Sequence, residues 1–333
     1  MRIKRPALIA MIAITFLILF GLGSMLNPVQ AAAQQKKYNF IFINQWGPSG
    51  SFPAVVQKGM ADAAAQLNVN ATMLFLPRDD DLAAQLSNLE SALLKNPDGI
   101  ITTIPHATLF NKTLQKALDK GIPVIASNTD ALLGTGDPLE FKIPYIGSSL
   151  FIGGYELARK ATEYFPDITK IHAMVGMESP GASWCEERAG GTIKYLEEKG
   201  IPYQKFDLSQ DMATMQSRVS AFLKKYPETN LVMSQGGNGP SGTAKGVQAA
   251  GKKPGEVIVV GYDITPQNAE EVKKGYVTFV NDQQPYLQGY LPVIQLYMIK
   301  EYAMSIWGVN TGLGYVDKNT IEKVGALAQK RVR

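Results

Sequence analysis

A chain of 333 residues with 45% hydrophobic content holds enough apolar matter for two ordinary domains, each with its own core. Its formal charge of +4 is misleading, because Arg2, Lys4 and Arg5 cluster at the N-terminus without an acid; the remainder carries 30 basic residues against 29 acidic. A near-neutral remainder gives no support to a nucleic-acid partner, which calls for a basic surplus gathered in a patch, and the single cysteine, Cys185, excludes an internal disulfide.

The basic start is followed by a nearly unbroken apolar run over residues 7–22, the layout of a secretory signal. Val29-Gln30-Ala31 and Ala31-Ala32-Ala33 each offer the small-residue pattern read by a signal peptidase. A signal peptide over residues 1–31 is therefore expected, with the mature chain beginning between Ala32 and Gln34. The competing reading is an uncleaved anchor, but the run falls short of the ~20 residues needed to span a bilayer. No cysteine follows it to carry a lipid, so a freely soluble periplasmic protein fits, and Cys185 is expected to be structural.

From Lys37 onward, short β-branched or aromatic runs alternate with stretches of helical period. Residues 38–43 read as a buried strand and 52–67 as a helix with Val56, Met60, Ala63 and Leu67 on one face. A strand at 71–76 follows. Asp79, Asp80 and Asp81 then supply cap and dipole-favoured charge to a helix on which Leu82, Leu86, Leu89 and Leu93 recur. Strands at 99–104 and 122–127 flank a helix around 109–120. This βαβ repetition implies a parallel sheet with helices on both faces. The beat breaks in a Gly/Pro-rich stretch at 131–142 just before a new strand at Tyr145, and a domain boundary near there is the simplest reading. A second series begins at Tyr145 and gives strands at 171–175, 203–208, 231–234, 257–262 and 277–281, so two similar lobes are expected.

Open parallel sheets bind ligands beyond the carboxyl ends of their strands. The strand exits here are residues 44–52, 104–108, 128–130, 176–188, 234–238, 263–265 and 281–284. They are rich in Trp, Asn, Gln, Asp and Arg, the mixture that stacks on a sugar ring and hydrogen-bonds its hydroxyls.

Two segments carry a family resemblance. Val259-Val260-Gly261-Tyr262-Asp263-Ile264-Thr265-Pro266 is similar to a V-G-F-D-x-T-P turn, and Asp282-Gln283-Gln284-Pro285-Tyr286-Leu287-Gln288-Gly289-Tyr290 precedes Thr311-Gly312-Leu313-Gly314-Tyr315 as in a sugar-binding subgroup. The chain thus resembles the ribose-binding-protein group of type I periplasmic binding proteins over nearly all of its mature length. That resemblance implies two doubly wound α/β lobes joined by three chain crossings, with residues 37–147 and 283–310 in one lobe and 148–282 and 311–333 in the other. It also implies capture of a small neutral sugar or polyol by hinge closure and delivery to a membrane ABC permease, with a chemoreceptor or sensor kinase as an alternative listener. A monomer without cofactor or metal is expected.

By the same resemblance, Asp263 accepts from ligand hydroxyls, Gln283 reaches the ligand from near the hinge, and Arg188 donates to its oxygens. Phe52 stands in for a loop aromatic of the family, with Trp46 as a second stacking candidate. Asn128 and Thr129 replace the family's Asp-Arg pair, a departure that removes a charged clamp and leaves the ligand's identity open. Asn238 and His106, at strand exits, complete the candidate set. Plainer readings stand beside these: Asp263 as a helix cap, Arg188 as a surface charge, Trp46 as a packing aromatic, and His172 as a packed mid-strand residue. Residues 236–242 are glycine-rich after a strand but lack the Gly-Lys-Ser/Thr ending of a phosphate loop. Neither histidine lies in a nucleophile context, so binding without chemistry is the expected role.

Overall fold

The computed structural model describes residues 37–312 and 314–333. The expected signal peptide and Leu313 lie outside the described residues.

Strict alternation in β1 (Asn39–Ile43) decides the first lobe's layering. Phe40 and Phe42 enter one apolar cluster and Ile41 and Ile43 the cluster on the opposite face, as a period of two requires. Parallel partners extend the sheet on both sides: β2 (Asn70–Leu74), β3 (Gly99–Ile104), β4 (Val124–Asp130), β5 (Tyr145–Gly147) and the short β11 (Val309–Asn310), in the order β11-β5-β4-β3-β1-β2. Every residue of β3 and β4 is buried, the mark of a sheet covered on both faces. The helices are α1 (Ser51–Leu67), α2 (Leu82–Leu94) and α3 (Asn111–Asp119).

The second lobe repeats the plan. Its sheet runs β12-β10-β9-β8-β6-β7, from β6 (Ala173–Met177), β7 (Tyr203–Asp207), β8 (Leu231–Ser234), β9 (Ile258–Tyr262), β10 (Phe279–Asp282) and β12 (Gly314–Asp317). One strand departs from the expected parallel pattern: β12 pairs antiparallel with β10. The helices are α4 (Leu150–Thr162), α5 (Ser183–Glu198), α6 (Met212–Lys225), α7 (Gly239–Ala249), α8 (Pro266–Lys274) and, at the end of the chain, α10 (Ile321–Gln329). Local chemistry sets their limits. In α8 the Thr265 side chain accepts from Asn268 N at 3.1 Å, Pro266 opens the helix, and Gly275 closes it at φ 80°.

The Gly/Pro-rich stretch at 131–142 is not where the lobes part. The strands on either side of it pair with each other in one sheet, Ala126 with Tyr145 and Ser127 with Ile146. The chain leaves the first sheet only after Gly147, entering the second lobe through α4. It returns after β10 into α9 (Pro285–Tyr302), which packs on α1, and crosses a third time between β11 and β12. Composition marked a loop there; which sheet the next strand joins is a matter of pairing that composition does not carry.

The helices α9 and α4, which follow the crossings, are each locked to a neighbouring helix of their lobe through glycines. A Cβ on Gly59 of α1 would collide with the Tyr286 carbonyl of α9, and one on Gly289 of α9 with the Val56 carbonyl of α1. In the second lobe Gly154 of α4 meets the Arg188 carbonyl and Gly191 of α5 the Phe151 carbonyl in the same reciprocal way. Backbones this close leave no room for any side chain at the four positions. Among the described residues no helix is long and apolar enough to cross a membrane.

Candidate functional site

The carboxyl ends of the two sheets border a cavity of about 630 Å³ lined from both lobes. Seven of the eight expected residues line it: Trp46, Phe52, Asn128, Arg188, Asn238, Asp263 and Gln283. The eighth, His106, does not. It is exposed, and its Nδ1 accepts from the amides of Thr108 and Leu109, each at 3.2 Å, which makes it a turn cap. His172 is also displaced from its expected place, half-buried just before β6 rather than within the strand.

Gln283 organises the polar floor. Its Nε2 donates to Asp263 Oδ1 at 2.8 Å and its Oε1 accepts from an Arg188 terminal nitrogen at 2.9 Å, so one amide fixes an acid and a base together. Arg188 donates its other terminal nitrogen to the Gln235 carbonyl at 2.9 Å and lies 4.0 Å from the centre of the Tyr262 ring. At 3% exposure it is no surface charge, and its Nε is left without a partner. Nor is Asp263 the cap of the helix that follows, since Thr265 does that work. Asp263 and Asn128 both hold left-handed backbone, at φ 68° and 65°, and Gln284 does so at 52°. Such conformations persist at non-glycine residues when the surroundings impose them, and functional sites are where they gather.

The opposite wall is aromatic. Trp46 packs edge-on against Phe42 and lies 5.3 Å, centre to centre, from Phe52, so the tryptophan belongs both to the edge of the core and to the cavity. Asn128 donates to Gln288 Oε1 at 3.0 Å, and Gln288 in turn donates to the Gln283 carbonyl at 2.9 Å and to Thr311 Oγ1 at 3.1 Å. A continuous set of buried amides and hydroxyls thus spans the region where the chain crosses between lobes.

The glycine-rich segment after β8 already embraces an anion of its own. Glu178, at the exit of β6, accepts from Gly236 N at 2.7 Å and from the amides of Asn238 and Gly239. A Cβ on Gly236 or Gly239 would strike its carboxylate, and one on Gly237 would strike that of Asp263. The glycines are therefore required so that two acids can approach the backbone at the start of α7. Burial pushes Glu178 up to about 7 against the pull of these amides, and Asp263 up to about 6 against the pull of Arg188 and Gln283. Cys185 is fully buried, and burial pushes its thiol up to about 11, which leaves it unreactive.

Gln45, Asp79, Asp80, Glu178 and Trp184 also line the cavity and were not singled out from sequence. The run of three aspartates reads as helix-capping charge, yet only Asp81 caps α2, accepting from Ala84 N at 3.1 Å. Trp184 stands four residues before Arg188 on α5, the one spacing that could have flagged it.

The model of the periplasmic binding protein domain matches residues 40–302. A xylose/arabinose-binding protein of Sulfolobus acidocaldarius is 25% identical over 300 residues, 86% of this chain and 72% of its own length. Among solved structures, a periplasmic sugar-binding protein of an ABC transporter from Legionella pneumophila is 31% identical, with a TM-score of 0.75 over 83% of this chain and all of its own. A carbohydrate transporter protein from Acidothermus cellulolyticus, solved with myo-inositol, shares the fold at 24% identity, with a TM-score of 0.77 over 89% of this chain and 99% of its own.

Proposed function

Since the chain belongs to the family of periplasmic binding protein domains, we propose that it captures a small neutral sugar or polyol in its cleft and delivers it to the permease of an ABC importer, after export to the periplasm. The moving bodies are residues 37–147 with 283–310, and residues 148–282 with 311–333. The observation that carries this reading is the Arg188–Gln283–Asp263 array, buried and facing Trp46 and Phe52 across one cavity. An arginine and an aspartate held side by side match the donor and acceptor needs of vicinal hydroxyls, while the aromatic wall covers the apolar face of a ring. Their opposite charges leave little surplus to attract an ion. Because Arg188 and Asp263 belong to one of these bodies and Trp46, Phe52 and Gln283 to the other, a ligand touching both stabilises the closed arrangement, and closure is the form a permease can read.

Relatives named for xylose, arabinose and ribose binding, and a structure solved with myo-inositol, support this ligand class. A thermal-shift panel of pentoses, hexoses and polyols tests it. At 100 times the dissociation constant a ligand adds about 2.7 kcal/mol, a shift of several degrees. A full panel without any shift would overturn the assignment.

A further inference from the structure

The first crossing is held by a phenol. Tyr145 opens β5, and its hydroxyl lies 2.6 Å from the Asn128 carbonyl and 2.8 Å from the Ser148 carbonyl. A phenol has one proton to donate, so the two acceptors share it. Asn128 lines the cavity from the far end of β4, whereas Ser148 is the first residue beyond β5. Gly147 makes this reach possible, since a Cβ there would occupy the place of the hydroxyl. The other two crossings converge on the same spot. Ser148 Oγ donates to Gln283 Oε1 at 3.3 Å, the Thr311 amide donates to the Gly147 carbonyl at 3.0 Å, and a Cβ on Gly312 would strike Ser148. Ser148, buried, is where all three meet.

We propose that Tyr145 is a positioning residue for ligand capture: its hydroxyl ties Ser148, where the three crossings meet, to Asn128 on the cavity wall. The first crossing then turns beyond Ser148, and the lobes move about a point fixed to the first sheet. Through Ser148 the tie reaches Gln283, which holds Arg188 and Asp263, so one hydroxyl keeps the Asn128 side of the cavity in register with its polar floor. Without it the crossing samples more arrangements, a smaller share of which can bind. Apparent affinity falls by the factor through which that competent share falls. The affinity consequence rests on the sugar-capturing reading; the restraint on the empty protein does not.

Tyr145→Phe removes the hydroxyl and keeps the ring. Ile100→Val is the comparison: it trims a fully buried β3 residue of the same lobe that does not line the cavity, at a similar cost in stability. Amide hydrogen exchange in the ligand-free full chain should be about tenfold faster at Thr311 in Tyr145→Phe and unchanged there in Ile100→Val. Titration with myo-inositol, or with whichever panel sugar binds the wild type, should show about tenfold weaker binding in Tyr145→Phe and wild-type affinity in Ile100→Val. Should Tyr145→Phe fail to fold, magnetic resonance of the wild type decides: the Tyr145 hydroxyl proton should exchange with water about tenfold more slowly than that of the exposed Tyr164, and equal rates overturn the tie. Thr311 exchange that stays at the wild-type rate in Tyr145→Phe, or that rises equally in both variants, also overturns it. Faster exchange without loss of affinity overturns the role in capture. A wild type that binds no sugar counts against the function reading alone, since exchange still decides the tie.

Discussion

Replacing Glu178 with glutamine should flatten the dependence of stability on pH. A carboxyl whose pKa is higher in the folded than in the unfolded chain holds its proton more tightly when folded. Its contribution is complete below about 4.5, its ordinary value, and is lost as pH rises through about 7, its value here. Between pH 5 and pH 8 that amounts to about 2 to 3 kcal/mol of declining stability, or roughly 5 °C in melting temperature. Glutamine has no charge to lose, but its NH2 faces one of the amides that now donate to the carboxylate. That mismatch costs about 1 to 2 kcal/mol at every pH. The variant should therefore be the less stable protein at pH 5 and should draw level with, or pass, the wild type at pH 8. Urea denaturation of both ligand-free proteins at pH 5, 6, 7 and 8 reads the difference, in which titrating groups that do not interact with Glu178 cancel; the nearby Asp263 carboxyl does interact with it and contributes to the same difference. Parallel profiles, or a gap that widens toward pH 8, would refute a buried carboxyl that is protonated on the acid side.

Arg188→Ala and Asp263→Ala should each weaken binding of the cognate sugar by about 2 to 5 kcal/mol, roughly 30-fold to several thousand-fold, because each leaves the other buried with its partner set incomplete. Calorimetric titration at two ionic strengths should also show little salt dependence in the wild type, as expected for a neutral ligand. Gly190 and Gly191 are neighbours on α5 with opposite prospects. A Cβ at Gly190 finds only ordinary contact, 3.7 Å from the Phe151 ring, so Gly190→Ala should be neutral or stabilise by up to about 1 kcal/mol. Gly191→Ala must push two helices apart and should cost about 1 to 3 kcal/mol or more, read as a fall in melting temperature; equal effects would contradict the interlocked crossing. Intact mass of protein recovered from the exported fraction should place the first residue between Ala32 and Gln34, and a retained N-terminal apolar run would defeat that expectation.

The two-lobed fold was readable because burial imposes short periods: Phe40 and Ile41 face opposite clusters whatever the rest of the chain does. Arg188, Gln283 and Asp263 stood out because their segments resemble known ones, and the cavity brings all three together. Glu178 escaped notice because the amides that hold it come from residues 236–239, some 60 positions away. Asp80 was hidden by its neighbours, since a capping run looks uniform while only one of its members caps. His106 shows the opposite error: a strand exit is a necessary place for a ligand contact and not a sufficient one. The antiparallel β12 is too short to announce its direction, which only its pairing with β10 decides.

The return of the chain from the second lobe to the first has a consequence for the order of events at synthesis. The first sheet's last strand and the helix that covers α1 belong to residues 285–310, so that lobe cannot be finished when its first 147 residues have emerged. About 155 further residues must follow before α9 ends, a delay of roughly 10 to 30 s at ordinary elongation rates. During that interval the early segment lacks the surface against which Gly59 and Val56 will close, and it stays an unfinished core. On the proposed export route, through a translocon that threads unfolded polypeptide, a first lobe that waits for its final piece remains threadable until nearly all of it has been made.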